Sequence, residues 1–212
     1  EVEDGVPWIA YEYLSGPSLH AHLEERGRLP WPEAFEIGAQ IAAALDDAHR
    51  HGVTHRDIKP ENVMRAEASW KLADFGIAKW VAGEVKTATG CVLGTPTYIA
   101  PEQISGAVAG PPADIYALGV MLFELIDGAP PFTDESVAML LQRHLKSTPR
   151  ALTGVPEAVA KAVQRALEKE PSARYASAAE MREALLACVE AGATDEPAAA
   201  PSAPRGRNSG TS

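Results

Sequence analysis

The sequence is poor in cysteine and in long apolar runs. Its 212 residues contain two cysteines, Cys91 and Cys188, whose separation matches neither a disulfide framework nor the ligand spacing of a zinc site, so we expect a reducing compartment. The most apolar run, from Ala117 to Ile126, is short and contains Glu124, which predicts no membrane-spanning segment. The start of the sequence has no signal-peptide pattern, and we expect a cytoplasmic location.

Positive charge is scarce as well. The 19 Lys and Arg residues are outnumbered by 29 Asp and Glu residues, which gives a net charge of −10. A chain this acidic is unsuited to nucleic acid or to an anionic membrane surface as its main partner. Apolar residues make up 46% and charged residues 23% of the sequence, which is ordinary for a soluble globular protein with one substantial core.

Three short motifs follow one another in the middle of the chain. The first runs from His55 to Asn62 and consists of His-Arg-Asp-Ile-Lys-Pro-Glu-Asn. The second is the Asp-Phe-Gly that begins at Asp74, and the third is the Ala-Pro-Glu that ends at Glu102. Each motif alone is compatible with a turn or a solvated surface segment, but their order and spacing together favour a site for phosphoryl transfer.

The residue types in these motifs suit that chemistry. Phosphoryl transfer needs metal ions on the phosphates, a positioned nucleophile and charge that stabilises the transition state. Magnesium prefers oxygen ligands, which Asn62 and Asp74 supply from two neighbouring loops. Asp57 is placed to accept or orient the proton of an attacking hydroxyl, and Lys59, two residues later, can neutralise the transferring phosphate.

The motif set resembles the catalytic half of a protein kinase. Some small-molecule phosphotransferases share the first motif, but the threonine-rich segment after Asp74 and the Ala-Pro-Glu motif favour the protein-kinase version. Over residues 1–190 the sequence is similar to bacterial, eukaryotic-type Ser/Thr protein kinases of the receptor-like family. Lys59 followed by Pro-Glu-Asn resembles their Ser/Thr-directed loop. The resemblance implies transfer of the γ-phosphate of ATP to protein Ser or Thr, with Mg²⁺ or Mn²⁺.

The resemblance also implies roles for individual residues of the nucleotide and phosphate site. Asp57 corresponds to the catalytic base and Lys59 to the phosphate-neutralising lysine, while Asn62 and Asp74 correspond to the metal ligands. The nucleotide-binding residues are then Asn62, Asp74, Glu12, Leu14 and Met64: the backbone of Glu12 and Leu14 binds adenine, and Met64 forms part of the adenine floor. A core methionine in a hairpin is an equally compatible interpretation of Met64.

Further roles implied by the resemblance concern the segment between the second and third motifs and its supports. Thr87 and Thr89 are the expected regulatory phosphorylation sites, with Arg56 as the residue that binds the phosphate. Two merely solvated threonines are the alternative. The other roles are structural or substrate-directed: Thr95 in the acceptor pocket, Asp114 holding the catalytic-loop backbone, and an ion pair between Glu102 and Arg174.

One part of the family pattern is missing from the sequence. Upstream of His55 there is neither a G-x-G-x-x-G loop nor a V-A-I-K lysine, both of which the small lobe of these kinases carries. Because the first residue is Glu1 rather than Met, we expect a fragment of a longer kinase that is inactive by itself. The alternative is a non-catalytic pseudokinase or gene remnant that binds proteins. The intact Asp57 favours the first interpretation, and the missing lysine favours the second.

The implied fold is an α+β, protein-kinase-like fold that is mostly the helical C-lobe with a remnant hairpin of the N-lobe. We expect residues 1–16 to form that hairpin and the hinge, and residues 17–190 to form the C-lobe. Residues 191–212, rich in Ala and Pro, are expected to be a disordered tail. The expected partners are protein substrates with Ser/Thr acceptors and a second kinase copy for autophosphorylation, and the tail is compatible with a membrane anchor in the full-length protein.

Local patterns predict the secondary structure. We expect a hairpin around Asp4-Gly5 with a strand over 8–14, a second hairpin over 63–73, and a buried helix over 114–127. Capping and periodicity predict five more helices, over about 18–27, 32–50, 135–146, 156–169 and 178–190. His49 and His51 are expected to be solvated at a helix end, and His55 to be structural.

Overall fold

The structure of the chain is a computed structural model, and it describes residues 12–74 and 96–192 together with the backbone of residues 2–3 and 6–7. These residues contain four short strands and seven helices. The strands are β1 (Val2–Glu3), β2 (Val6–Pro7), β3 (Val63–Ala66) and β4 (Ser69–Leu72). The helices are α1 (Leu19–Arg26), α2 (Trp31–Arg50), α3 (Pro101–Ile104), α4 (Pro111–Asp127), α5 (Val137–Lys146), α6 (Glu157–Ala166) and α7 (Ala178–Gly192).

The strands form two separate antiparallel hairpins. In the first, Glu3 pairs with Val6 around the predicted turn, which confirms that hairpin. The predicted continuation of its second strand was wrong where it can be judged, because residues 12–14 belong to no strand. In the second hairpin Val63 pairs with Leu72, as the sequence predicted.

Capping residues set the ends of the first two helices. The Ser18 hydroxyl accepts the Ala21 N–H at 3.1 Å, and Gly27, with φ of 73°, ends α1. Helix α2 has Pro32 in its first turn, where a missing N–H costs nothing, and ends just before Gly52, whose φ is 75°. Both helices therefore begin and end close to where their sequences predicted.

Helix α4 lies at the centre of the core. Nearly every residue from Ala113 to Ile126 is buried, which confirms the prediction from its all-round apolar pattern. Helices α2 and α6 pack on it, and α7 packs on α2, α4 and α6. Gly119 permits the close crossing with α6, because a Cβ there would lie 2.7 Å from the Cβ of Ala166. The described residues thus confirm an α+β class dominated by its helices.

The last helix extends beyond its predicted end. At its start the Ser177 hydroxyl accepts the Glu180 N–H at 3.1 Å, and the Glu180 carboxylate accepts the N–H of Ala176. The helix continues to Gly192, two residues into the segment expected to be a tail. Gly192 lies against the Trp31 ring, where a Cβ would collide. The remainder of the expected tail, 193–212, lies outside the described residues.

The described helices include none that is both long enough and apolar enough to cross a lipid bilayer.

Candidate active site

The loop between α2 and β3 brings two side chains, those of Lys59 and Asn62, to the carboxylate of Asp57. Lys59 Nζ lies 3.1 Å from Asp57 Oδ2, and Asn62 Nδ2 lies 3.1 Å from the same oxygen and 2.7 Å from the Asp57 carbonyl. A 3₁₀ turn over Pro60–Asn62 folds Asn62 back toward Asp57. The side chain of Asp57 is 28% exposed, so its carboxylate is held in place and remains accessible to a ligand.

His55 joins this loop to the strand that leads to Asp74. Its side chain is fully buried, its Nε2 lies 3.0 Å from the Ala73 carbonyl, and its Nδ1 accepts the Asp57 N–H at 3.3 Å. These two contacts fit the neutral imidazole with its proton on Nε2. Burial lowers the pKa of His55 below its ordinary value, outweighing the Ala73 carbonyl and nearby carboxylates, which act in the opposite direction.

Asp114, at the start of α4, accepts the backbone of the same loop. Its Oδ2 accepts the N–H of His55 and its Oδ1 that of Arg56, both at 2.8 Å, and its side chain is fully buried. Arg56 has a φ of 64°, which is uncommon for a residue other than glycine. The two hydrogen bonds hold this backbone conformation immediately before Asp57.

His49 completes the surroundings of Asp114, and sequence reasoning missed it. It was expected to be solvated, yet its side chain is only 9% exposed and its Nε2 lies 2.8 Å from Asp114 Oδ2. Since 65 residues separate the two partners, local periodicity gives no signal for the contact. His51, two residues later at the same helix end, has a side chain that is 74% exposed, as expected.

Asn62 and Asp74 are brought near each other by the backbone. The Asn62 carbonyl accepts the N–H of Ala73 at 2.8 Å, which places the residue after Ala73 beside the loop that carries Asp57. Asp74 has a φ of 55°, so the chain turns sharply at this carboxylate. A carboxylate and an amide oxygen are the donor types that Mg²⁺ takes, with water and phosphate oxygens completing its shell. These residues therefore fit a magnesium site shared with a phosphate ligand.

Glu12, which was expected to lie in the hinge, contacts the β3–β4 hairpin. Lys71 Nζ lies 2.6 and 2.7 Å from the two carboxylate oxygens of Glu12, and both side chains are exposed. Met64 is half-buried rather than in the core, and Ser18 forms an isolated antiparallel bridge with it. Leu14 is also half-buried. Glu12 thus contacts β4 through Lys71, and Met64 is part of the neighbouring strand β3.

The third motif is anchored by an ion pair in the core. Arg174 Nη1 and Nη2 donate to the two Glu102 oxygens at 2.7 and 2.8 Å, and the Arg174 side chain is fully buried. The same guanidinium donates to three carbonyls, those of Pro112, Glu168 and Lys169. The other predicted residues of this segment, Thr87, Thr89 and Thr95, and the Phe-Gly of the second motif lie outside the described residues.

A comparison with protein families decides the identity of this arrangement. The family model described as the protein kinase domain matches residues 3–186. The chain belongs to the protein kinase family. Among its curated relatives are the serine/threonine-protein kinases PknB of Mycolicibacterium smegmatis and PrkC of Bacillus subtilis, each 37% identical, and PknL of Mycobacterium tuberculosis, 38% identical.

The kinase relatives are longer than the matched region. The three alignments cover 91%, 92% and 87% of this chain, but 32%, 31% and 47% of the relatives. The chain therefore spans about a third to a half of the length of these curated kinases. Protein kinases as a family use ATP and Mg²⁺ and act on proteins.

Two further contacts of the kinase core were not predicted. Tyr98, shortly before the third motif, donates to Glu124 of α4, and burial raises the pKa of both groups above their ordinary values. The fully buried His144 of α5 lies 2.9 Å, through its Nδ1, from the Tyr116 hydroxyl. Burial, with the charge of Lys169, lowers the pKa of His144 to about 4. Both contacts join residues far apart in sequence and close in the fold.

Lys169 is an unusual member of this cluster. Its Nζ is buried and has no hydrogen-bond partner among the residues that the structure describes, and it lies 4.3 Å from the centre of the Phe132 ring. Burial and then the charge of Arg174 lower the pKa of Lys169 to about 8. The ring face provides the cation with a weak electrostatic partner in place of a hydrogen bond.

Proposed function

We propose that this chain is the catalytic large lobe of a Ser/Thr protein kinase that transfers the γ-phosphate of ATP to Ser or Thr hydroxyls of proteins. The observation that carries the proposal is the convergence on Asp57: Lys59 Nζ and Asn62 Nδ2 each lie 3.1 Å from one of its carboxylate oxygens. This preorganised set supports catalysis because its groups need no rearrangement as the reaction proceeds.

Each residue of the set has a definite task in this proposal. The Asp57 carboxylate orients the acceptor hydroxyl and takes its proton, while the Lys59 ammonium offsets charge on the transferring phosphoryl group. When bound, Mg²⁺ neutralises charge on the phosphate oxygens, with Asn62 and Asp74 as the residues that would hold it. The amide nitrogen of Asn62 is committed to Asp57, so its oxygen is the atom left for the metal.

Nucleotide binding is assigned to the hinge and the adjacent hairpin. The backbone of Glu12 and Leu14 would hydrogen-bond adenine, and the half-buried Met64 would contact its ring. The 212 residues contain no glycine-rich loop or strand lysine upstream of His55. One preorganised electrostatic contact is worth roughly 10²–10³ in rate, and we therefore expect the chain alone to turn over at least that much more slowly than a version with both elements.

Radiolabelled ATP turnover on a basic protein substrate tests the proposal. The chain alone is compared with a fusion to the glycine-rich lobe of a related kinase, and each is prepared unsubstituted, with Asp57→Ala and with Asp47→Ala. Asp47 is a matched control because it is an exposed aspartate on α2. We expect transfer by the fusion, little by the chain alone, and loss of transfer with Asp57→Ala only.

Two results would contradict parts of this proposal, the first the kinase function and the second the expected inactivity of the chain alone. A fusion that binds ATP but transfers no phosphate would favour the alternative, a non-catalytic module that binds proteins. Transfer by the chain alone at the rate of the fusion, abolished by Asp57→Ala, would show that the glycine-rich lobe is dispensable.

Regulation by phosphorylation of the segment before the third motif is part of the proposal. Thr87 and Thr89 are the acceptors, and Arg56, whose side chain is exposed beside Asp57, binds the phosphate through charge-assisted hydrogen bonds. A second copy of the kinase would supply the phosphate by autophosphorylation. Mass spectrometry of the fusion after incubation with ATP should find phosphate on the peptide containing both threonines; phosphate confined to residues beyond 192 would overturn this assignment.

The remaining assignments concern the acceptor and the support of the loop. We assign Thr95 to the acceptor pocket, Asp114 to the support of the catalytic loop, and the pair of Glu102 and Arg174 to the anchoring of the third motif. Residues 1–16 would form the hinge side and residues 17–190 the large lobe. The buried hydrogen bonds of Asp114 and the ion pair of Arg174 support these assignments.

A further inference from the structure

Two buried nitrogen atoms of the core lack a protein partner for a hydrogen bond. Among the residues that the structure describes, the buried side-chain nitrogen and oxygen atoms in this state are His144 Nε2 and Lys169 Nζ. Buried polar groups of folded proteins are nearly always paired with protein or with ordered water, because an unpaired one costs free energy. Two such atoms in one cluster call for a common explanation.

Both atoms belong to the same cluster of aromatic rings. Lys169 Nζ lies 4.3 Å from the centre of the Phe132 ring and 5.7 Å from that of Tyr116. The centre of the His144 ring lies 4.9 and 5.8 Å from the same two points. Phe132 is 4% exposed and Tyr116 and His144 are 0% exposed, so bulk solvent does not reach the space between these side chains. The ring faces offset only part of the cost of burying the ammonium group.

The electrostatics of His144 show that the imidazole and the ammonium group are neighbours. Burial is the largest cause that lowers the pKa of His144 to about 4, and the charge of Lys169 is the next. The backbone of Thr97 acts in the opposite direction, so its carbonyl also lies close to the imidazole. The nearby charge of Arg174 is already taken up by Glu102. The cluster therefore contains donors and one carbonyl, but nothing that joins them.

A ligand at this place has to suit both nitrogen atoms. The Lys169 ammonium can only donate. His144 Nδ1 lies 2.9 Å from the Tyr116 hydroxyl, so Nε2 donates if the tyrosine proton points to Nδ1 and accepts in the other tautomer. A water molecule accepts and donates, and so fits either tautomer, with the Thr97 carbonyl as an acceptor for a further hydrogen. A chloride ion only accepts, and it would lose its hydration inside a chain of net charge −10.

We propose that Lys169 Nζ and His144 Nε2 hold an internal water molecule against the rings of Phe132 and Tyr116. The water accepts an N–H of Lys169, is hydrogen-bonded to His144, and so connects three parts of the fold: α4 through Tyr116, α5 through His144, and the residues that follow α6 through Lys169. Internal waters with about three such bonds are a fixed part of a structure and costly to remove. The inference concerns the core alone and does not depend on the proposed function.

Magnetic relaxation dispersion of ¹⁷O-labelled water counts the long-lived internal waters in solution, and labile protein hydrogens do not disturb it. It is measured on the 212-residue chain without substitution, with Lys169→Met and with Lys161→Met. Methionine fills the space of the lysine without a donor, and Lys161 is a matched control because its side chain on α6 is 70% exposed. We expect the count to fall by one with Lys169→Met and to stay constant with Lys161→Met. An unchanged count with Lys169→Met, or the same loss in both variants, would overturn the inference.

A crystal structure of the 212-residue chain gives the position of the ligand. We expect one water oxygen within about 2.7–3.2 Å of both Lys169 Nζ and His144 Nε2, and no such oxygen with Lys169→Met. Crystals soaked in sodium bromide separate water from an anion, since an anomalous bromide peak between the two nitrogen atoms would replace the water site by an anion site. A direct hydrogen bond from Lys169 to a carbonyl, with no oxygen atom between the two nitrogens, would likewise contradict the proposal.

Discussion

Two ion pairs differ in their surroundings rather than in their lengths: a hinge pair, Glu12 with Lys71 at the expected hinge, and a core pair, Glu102 with Arg174. Glu12 and Lys71 at the hinge lie 2.6 Å apart, with side chains 64% and 44% exposed. Glu102 and Arg174 in the core lie 2.7 Å apart, with side chains 14% and 0% exposed. A comparison of distances alone would rank the two pairs as equal.

Burial determines how much stability is lost when one partner of an ion pair is removed. We expect a large loss for the core pair and a small one for the hinge pair. An exposed pair is screened by water and salt, and ordering its long side chains costs entropy, so it contributes about 0–1 kcal/mol. A buried pair contributes little relative to an apolar replacement of both partners, but loss of one partner leaves an uncompensated charge. The core of this lobe is therefore sensitive to single substitutions in a way that the hinge is not.

The largest effect is expected for Arg174→Met. The substitution leaves the Glu102 carboxylate and the carbonyls of Pro112, Glu168 and Lys169 without their donor. We expect the free energy of unfolding to fall by about 3–5 kcal/mol, measured by urea denaturation at pH 7. The double variant Arg174→Met with Glu102→Gln should recover part of this loss, and a single variant that unfolds like the unsubstituted chain would show that the core pair behaves like the hinge pair.

Lowering the pH should reduce the free energy of unfolding through His144. Its pKa is about 4 in the folded chain and near 6.5 in the unfolded chain, so the unfolded state binds more protons between these values. The contribution of neutral His144 to the free energy of unfolding is therefore fully present above pH 6.5. It is lost as the pH falls toward 4, by on the order of 2–3 kcal/mol. His55, whose pKa burial also lowers, acts in the same direction. In urea titrations, the loss between pH 7 and 4.5 should be clearly smaller in His144→Gln.

Raising the pH above neutrality should increase the free energy of unfolding through Lys169. Its pKa is about 8 when folded and 10.5 when unfolded, so the unfolded state holds more protons across this window and stability rises with pH. Lys169→Met removes a buried cation and the contact with Phe132, and we expect a net stabilisation of roughly 1 kcal/mol at pH 7. Thermal melting at pH 7 and pH 9.5 should show a rise for the unsubstituted chain that is absent from the Met variant.

The smallest effect is expected at the hinge. Lys71→Met should lower the free energy of unfolding by at most about 1 kcal/mol, and the loss should shrink further in 0.5 M salt, which screens the exposed pair. Urea denaturation at two salt concentrations measures both. A loss as large as that of Arg174→Met would mean that exposure does not govern the strength of ion pairs in this lobe.

Local patterns in the sequence were enough for the motifs and for the described helices other than the short α3 (Pro101–Ile104), which was not predicted. The Ser18 cap and the apolar pattern of α4 act over a few residues, so their outcome does not depend on the rest of the fold. The His55–Asn62 and Ala-Pro-Glu motifs likewise identified the family that the comparison shows.

Long-range contacts could not be predicted in this way. The contact of His49 with Asp114 joins residues 65 apart, and that of Tyr116 with His144 joins residues 28 apart. In the sequence each histidine looks like any polar residue of an amphipathic helix. Only the packing of α2 and α5 against α4 gives it a buried partner, so its role depends on tertiary structure.

The packing at Gly16 fastens the start of the continuously described chain to the β3–β4 hairpin. The backbone of Gly16 lies against the carbonyl of Arg65 too closely for any side chain, and the Pro17 carbonyl accepts the N–H of Arg65 at 2.9 Å. From Gly16 onward the chain is thus fastened to the β3–β4 hairpin and travels with it. A side chain introduced at Gly16 would therefore have to displace the backbone of Arg65 and would separate this segment from the hairpin.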